Sequence, residues 1–179
     1  KGLQWLLEAF AKAAHAVPAA LLVLLGDGAQ RPKLEALAQR LSLRPNHIRF
    51  AGRVPVSEVP LWLRASDIFA LVSPSEGFSC ALAEAMAAGL PSVVSAIPAN
   101  SQLIDQEVHG VPVPAGDVPA IADAFVRLLR DAPLRLRMGQ AARRRVLENF
   151  STPRIVSRYE TLFHEVLKDP NPPAPQQGG

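Results

Sequence analysis

The sequence predicts an α/β protein with a Rossmann-like, doubly wound parallel sheet, on three observations. Segments of strand and helix character alternate along the chain, the pattern of a parallel sheet joined by crossover helices. Residues 19–25 form an uninterrupted apolar run ending in Gly26-Asp27-Gly28, as a strand buried on both faces does. Residues 73–77, Ser-Pro-Ser-Glu-Gly, place a loop between a strand-like run and a stretch of helix formers. Sheets of this kind hold their ligands at such a point, outside the carboxyl end of a strand.

Each element follows from local chemistry. Leu3, Leu6, Leu7 and Phe10 recur at helical spacing with Pro18 beyond them, so the first element is a helix. After the strand at 19–25, Leu34, Leu37, Ala38 and Leu41 mark a second helix. Residues 47–51 read as a short strand, and 56–65 as a third helix that Ser57 is placed to cap. Residues 67–72 read as a strand, and 80–88 as helix formers ended by Gly89 and Pro91. A strand at 92–95, another at 111–113, a helix from Asp117 and further helices to Lys168 complete one domain over residues 1–168. Residues 169–179, with four prolines and two glutamines, predict a disordered tail.

Composition narrows the function classes. With 49% hydrophobic and 20% charged residues, the 179-residue chain can build a real core. Seven Phe, two Trp and one Tyr are few for a surface that stacks bases or sugars on aromatic rings, so nucleic acid is not an expected partner. Phe125, Leu128, Leu129, Trp5 and Trp62 are expected in the core. The lone cysteine, Cys80, excludes an internal disulfide and a multi-cysteine metal site, reads as a small buried hydrophobe, and fits a reducing, cytoplasmic setting. His15, His47, His109 and His164 lack metal-ligand spacing and are expected at the surface or in loops, so no metal is implied. No apolar run approaches the ~18 residues of a membrane span. Between Arg127 and Arg158 stand nine Arg against two acids, Asp131 and Glu148. That stretch reads as a solvated helix face, with peripheral contact to anionic lipid as the alternative. Gly26-Asp27-Gly28 lacks the third glycine of a dinucleotide fingerprint.

The loop at 73–79 and the helix after it form the candidate site. Gly77 lets backbone approach a ligand, and free N–H groups near Phe78 to Cys80 favour an anion such as a diphosphate. Ser79 is placed to cap the helix or to donate to phosphate. Glu76 and Glu84 stand roughly 8–12 Å apart along the helix axis, too far to share a proton. Two carboxylates flanking an anion site suit a ligand with hydroxyls at both ends of a diphosphate, which is the layout of a nucleotide-sugar. The plainer reading has Glu76 as a helix cap and Glu84 as a solvated acid.

Residues 73–94, from Ser-Pro-Ser-Glu-Gly-Phe through Leu82-Ala83-Glu84-Ala85-Met86 to Gly89-Leu90-Pro91-Ser92-Val93-Val94, resemble the paired-glutamate signature of family 4 retaining glycosyltransferases of the GT-B fold. Lys1-Gly2 and the helix after it, Leu24-Leu25-Gly26-Asp27-Gly28, Phe50-Ala51-Gly52-Arg53-Val54 and residues 109–117 resemble further family segments. His109 stands where the family usually has Asn, and Ile97-Pro98-Ala99-Asn100 where many members carry a Gly-Gly turn, which points to a subgroup with a different donor preference.

The resemblance implies that Glu76 holds donor-sugar hydroxyls with the Gly77 and Phe78 backbone, that Glu84 holds the ribose, and that Lys1 meets the diphosphate. It implies backbone contacts from Gly52 and Val54 to the base, with Arg53 packed over it. Catalytic roles would fall to Lys1 and Glu76, and nucleotide-sugar binding to Gly52, Arg53, Val54, Gly77, Phe78, Ser79 and Glu84. The donor, UDP- or GDP-activated hexose, is a substrate, so no cofactor is implied. The resemblance also implies that the first strand of the domain and an N-terminal acceptor-binding domain lie outside the chain, which alone should not transfer sugar. Two rival readings are an inactive nucleotide-binding or regulatory domain of this fold and a nucleotide-sugar epimerase.

Overall fold

A computed structural model of the chain describes residues 1–168, and the tail expected at 169–179 lies outside the described residues. Helix α1, Leu3–Ala16, buries Leu6, Leu7, Ala9, Phe10, Ala13 and Ala14 on one face and ends at Val17, before Pro18. Strand β1, Leu22–Leu25, leads through α2, Arg31–Arg40, to β2, Ile48–Gly52. A 3-10 turn, Val56–Glu58, precedes the short helix α3, Val59–Arg64. Strand β3, Phe69–Leu71, helix α4, Cys80–Ala87, and strand β4, Ser92–Ser95, form the next unit. Helix α5, Pro98–Ser101, strand β5, Gly110–Val113, and helices α6, Val118–Arg130, α7, Ala132–Phe150, and α8, Thr152–Lys168, complete the order.

The strands are parallel throughout, but they form two sheets where the sequence predicts one. Strand β1 pairs with β2, and β4 lies between β3 and β5. Strands β1 and β3 each use a single edge for pairing, and they do not pair with each other. An apolar run specifies a strand but not its neighbour, so this division was not legible in the pattern. Burial follows pairing: all four residues of β4 are buried, whereas those of β3 are only half-buried.

One core nevertheless joins the two sheets. Leu6, Ala9 and Ala13 of α1 pack with Ile121, Phe125 and Leu128 of α6, and Leu22 and Leu24 of β1 and Ala70 of β3 rest on the same cluster. The Phe10 and Phe125 rings meet edge to face, 6.2 Å between centroids. A second cluster, centred on Leu7, Phe10, Leu34, Ala38 and Ile48, fixes α2 and β2. A third joins Leu82 and Met86 of α4 to Val94, Leu103, Ile104, Ala142 and Val146, so α4 is clamped between β4 and α7.

Several local expectations need correction. Ser57 caps nothing, because the chain turns through a 3-10 segment first and α3 begins at Val59 without a side-chain cap. Cys80 is exposed rather than buried, since it sits on the face of α4 turned away from the core. His109 is buried, its Nδ1 accepting the Asp105 backbone N–H at 3.1 Å across the turn before β5. Trp62 is only half-buried, beneath the Arg49 guanidinium at 5.4 Å from the ring centroid. The arginine-rich stretch does more than meet solvent: Arg135 donates to the Leu128 and Leu129 carbonyls, Arg143 to Ala87 and Arg145 to Gln102. These bonds satisfy carbonyls at the ends of α4, α5 and α6. Helix α8 has no buried residue and carries Tyr159, Leu162 and Phe163 exposed. No helix among the described residues is long and apolar enough to cross a membrane.

Helices α4 and α7 approach closely at Gly139 of α7, where a Cβ would collide with the Gly89 carbonyl oxygen just past the end of α4. Gly139→Ala should therefore destabilise the chain by about 1–3 kcal/mol, the usual cost of overpacking, although alanine has the higher helix propensity. Thermal denaturation checks this; a raised melting temperature would show that α4 and α7 separate freely.

Candidate functional site

The site is built where β3 ends. Val72 and Ser73 are buried beyond the last strand residue, and the chain then emerges through Pro74 and Ser75 to Glu76. Gly2, the residue before α1, lies directly against this segment. Its φ is +69°, and a Cβ there would collide with the Val72 carbonyl oxygen, so only glycine combines that backbone angle with that approach. The consequence is that residue 1 is laid beside residue 76.

The Lys1 Nζ donates to both carboxylate oxygens of Glu76, at 2.8 and 2.9 Å. The pair is asymmetric in exposure: 67% of the Lys1 side chain is accessible but only 12% of the Glu76 side chain. The Lys1 hydrogen bonds hold the Glu76 carboxyl below its usual range, and the Ser73 hydroxyl adds to the effect against the opposing cost of burial. Ser73 Oγ also lies 3.5 Å from the Lys1 carbonyl oxygen. A half-buried carboxylate is thus kept ionised and acceptor-only, with an exposed ammonium on its open side.

Beyond Glu76 the chain stays open. Gly77 and Phe78 are exposed, and nothing lies within 4 Å of where a Gly77 Cβ would stand. The Phe78 ring rests 6.0 Å, centroid to centroid, from Phe150 at the end of α7. Ser79 occupies the N-cap position of α4 but makes no capping bond. Its buried hydroxyl donates instead to Asn100 Oδ1 at 2.6 Å, and Asn100 Nδ2 donates to the Ser95 carbonyl at 2.8 Å. The Ser79 hydroxyl is therefore committed to Asn100, contrary to the helix cap expected of it. The first helical turn is left uncapped: Ala83 N–H bonds to the Ser79 carbonyl, while the Ala81 and Leu82 N–H groups have no acceptor among the described residues. Uncapped amides at a helix start favour an anion.

Glu84 stands exposed on α4, about one turn from the helix start. Gly52, Arg53 and Val54 lie at the end of β2, in the other sheet. There Gly52 is buried, its carbonyl accepting the Gly26 N–H at 2.7 Å, while Arg53 is exposed and Val54 half-buried. The structure thus brings Lys1, Glu76, Gly77, Phe78 and Ser79 together and places Gly52, Arg53 and Val54 on a separate strand end. Sequence reasoning missed Gly2, Ser73 and Asn100. A conformationally special glycine beside Lys1 was a weak signal, and the other two become visible only once burial is known. No group of three His, Cys, Asp or Glu gathers among the described residues. A cleft of about 540 Å³ lined by Glu148, Asn149, Arg154, Ser157 and Arg158 opens between α7 and α8, and none of the residues above lines it.

Comparison with known proteins meets this geometry. Residues 1–131 match the family model described as Glycosyl transferases group 1. N-acetyl-alpha-D-glucosaminyl L-malate synthase of Bacillus anthracis is 34% identical over 94% of this chain and 43% of its own length. UDP-Gal:alpha-D-GlcNAc-diphosphoundecaprenol alpha-1,3-galactosyltransferase of Escherichia coli is 28% identical over 84% of this chain and 38% of its own. The chain therefore spans less than half the length of these curated relatives. Among solved structures, the C-terminal domain of a glycosyl transferase group 1 family protein from Francisella tularensis superposes with a TM-score of 0.78 at 26% identity, covering 85% of this chain and 80% of that one.

The Lys1 bond has a measurable electrostatic consequence. Lys1→Met should raise the Glu76 carboxyl midpoint toward the ordinary ~4.3 of a glutamate, followed by carbon-detected NMR titration. A depressed carboxyl midpoint in the folded state means that the pair stabilises the fold above the ordinary glutamate range. That contribution fades as pH falls through the depressed value. An unchanged midpoint in the variant would remove Lys1 as the cause.

Proposed function

The chain belongs to the glycosyl transferases group 1 family, and from that premise we propose that it is the donor-binding domain of a retaining, family 4 hexosyltransferase. Its fold is that of a GT-B C-terminal domain. The observation that carries the reading is the Lys1–Glu76 pair at the end of β3, beside an uncapped helix start. A nucleoside-diphosphate hexose, with UDP or GDP as its nucleotide, is the substrate. The Escherichia coli relative's name gives UDP-Gal, which supports a nucleotide-sugar donor.

On this reading Glu76 accepts hydrogen bonds from the sugar hydroxyls, because an ionised carboxylate offers acceptors only. Lys1 holds it ionised and, being the more exposed partner, turns its ammonium toward the diphosphate. As the bond from the anomeric carbon to the phosphate oxygen breaks, negative charge grows on the leaving nucleoside diphosphate. Lys1 and the Ala81 and Leu82 amides stabilise that charge, and stabilisation where charge develops lowers the barrier. The reading assigns this work to the protein's own cation and amides rather than to a metal. Gly77 and Phe78 supply backbone contacts to the sugar. Glu84 takes the ribose hydroxyls, and Gly52, Arg53 and Val54 the base. The acceptor is bound by a part of the enzyme outside these residues.

Calorimetric titration of the chain with UDP, GDP and ADP tests the site. One of the first two should bind, and Glu84→Ala should weaken it about tenfold or more, the loss of a charge-assisted hydrogen bond. Equal binding by the variant, or no binding of any nucleotide, would refute the assignment. A radiolabelled-donor assay of residues 1–179 alone should detect no transfer to any acceptor, and transfer would place acceptor binding within this chain.

A further inference from the structure

A serine at a helix N-cap ordinarily turns its hydroxyl back to accept the N–H of the second or third helical residue. Ser79 does not. Its hydroxyl is committed as a donor to Asn100 Oδ1 at 2.6 Å, and its side chain makes no capping bond. Asn100 is held by its own second function, the 2.8 Å bond from Nδ2 to the Ser95 carbonyl at the end of β4. Ser79, Asn100 and Ser95 are 2%, 1% and 0% exposed, so water does not compete for these bonds. The amide can satisfy both neighbours only with its oxygen toward Ser79 and its nitrogen toward Ser95, since a carbonyl can only accept.

We infer that Asn100 is a positioning residue for the donor site: by drawing the Ser79 hydroxyl away from the helix, it keeps the Ala81 and Leu82 N–H groups free for the ligand's diphosphate. The inference rests on the donor-site reading above and adds a residue that touches no ligand. It also gives the Ile97-Pro98-Ala99-Asn100 segment a task. Helix α5 begins at Pro98, the Asn100 N–H bonds back to the Ile97 carbonyl, and the Leu103 and Ile104 N–H groups both bond to the Asn100 carbonyl. The backbone on both sides of the amide is thereby fixed, and the side chain bridges from the end of β4 to the start of α4. Without the amide, the Ser79 hydroxyl is released to swing onto the helix and occupy the amides a phosphate would use.

The test compares Asn100→Ala, Ser79→Ala and the double variant in this chain, with the nucleotide that the wild type binds. Asn100→Ala should lower affinity about tenfold, one lost charge-assisted interaction. Adding Ser79→Ala should restore affinity to within about threefold of the wild type, because no hydroxyl remains to cap the helix. Ser79→Ala alone should bind within about threefold, and this variant keeps the test open if Asn100→Ala does not fold. A purely structural role for Asn100 predicts further loss in the double variant rather than recovery, and that result would overturn the inference. So would a tenfold loss in Ser79→Ala alone.

Amide hydrogen exchange gives a readout without ligand. In Asn100→Ala the Ala81 or Leu82 amide should exchange about fivefold more slowly as it becomes capped, whereas simple destabilisation would speed it. Failure of the wild type to bind nucleotide would refute the donor-site reading, and the exchange rates would then judge the release of Ser79 by themselves.

Discussion

Gly2 lies so near the Val72 carbonyl oxygen that no other residue fits there in that backbone conformation, and much of the architecture is arranged around this approach. It joins the start of α1 to the end of β3. Trp5, in the first turn of α1, packs over Gly116 just before α6, so three segments distant in sequence meet at one place. Through α1 and α6 the contact is continuous with the core that carries β1 as well as β3. The two sheets are thereby held on one body although their strands share no hydrogen bond.

The electrostatics of the site grow from that packing. Glu76 is mostly covered, and burial by itself would push its carboxyl toward protonation. The Lys1 ammonium reverses the sign, and it can do so only because Gly2 delivers residue 1 to that position. On the other side, α4 presents its first turn uncapped. The Lys1–Glu76 pair thus precedes, by a three-residue loop, a helix whose first turn is uncapped. Such an arrangement suits a ligand that carries hydroxyls and phosphate together.

Much of this was legible in the sequence and some of it was not. Periodicity located α1 and α2 because each buries one face at helical spacing, a run of helix formers closed by Gly89 and Pro91 located α4, and the apolar run after Pro18 contained β1. Strand pairing was not legible, because continuous apolar runs carry no information about which edge meets which. The string at 73–94 identified the family, and Lys1 and Glu76 prove to be neighbours. The Ser79 hydroxyl was misjudged because capping preference is a local rule, and here a buried amide from residue 100 competes with it. His109 and Cys80 failed in opposite directions for one reason: average burial of a residue type does not say which face of an element it occupies.

The Lys1–Glu76 bond joins residues 75 positions apart. A contact of that span closes a very long loop, and its entropic cost is recovered only after the intervening chain has condensed. The pair can therefore close only once α1 has docked against the end of β3. Partly folded chains would carry a helix start but no paired carboxylate. Ligand capture would in that way be reserved for molecules that have finished folding, and the ligand, binding only those, would bias the population toward them.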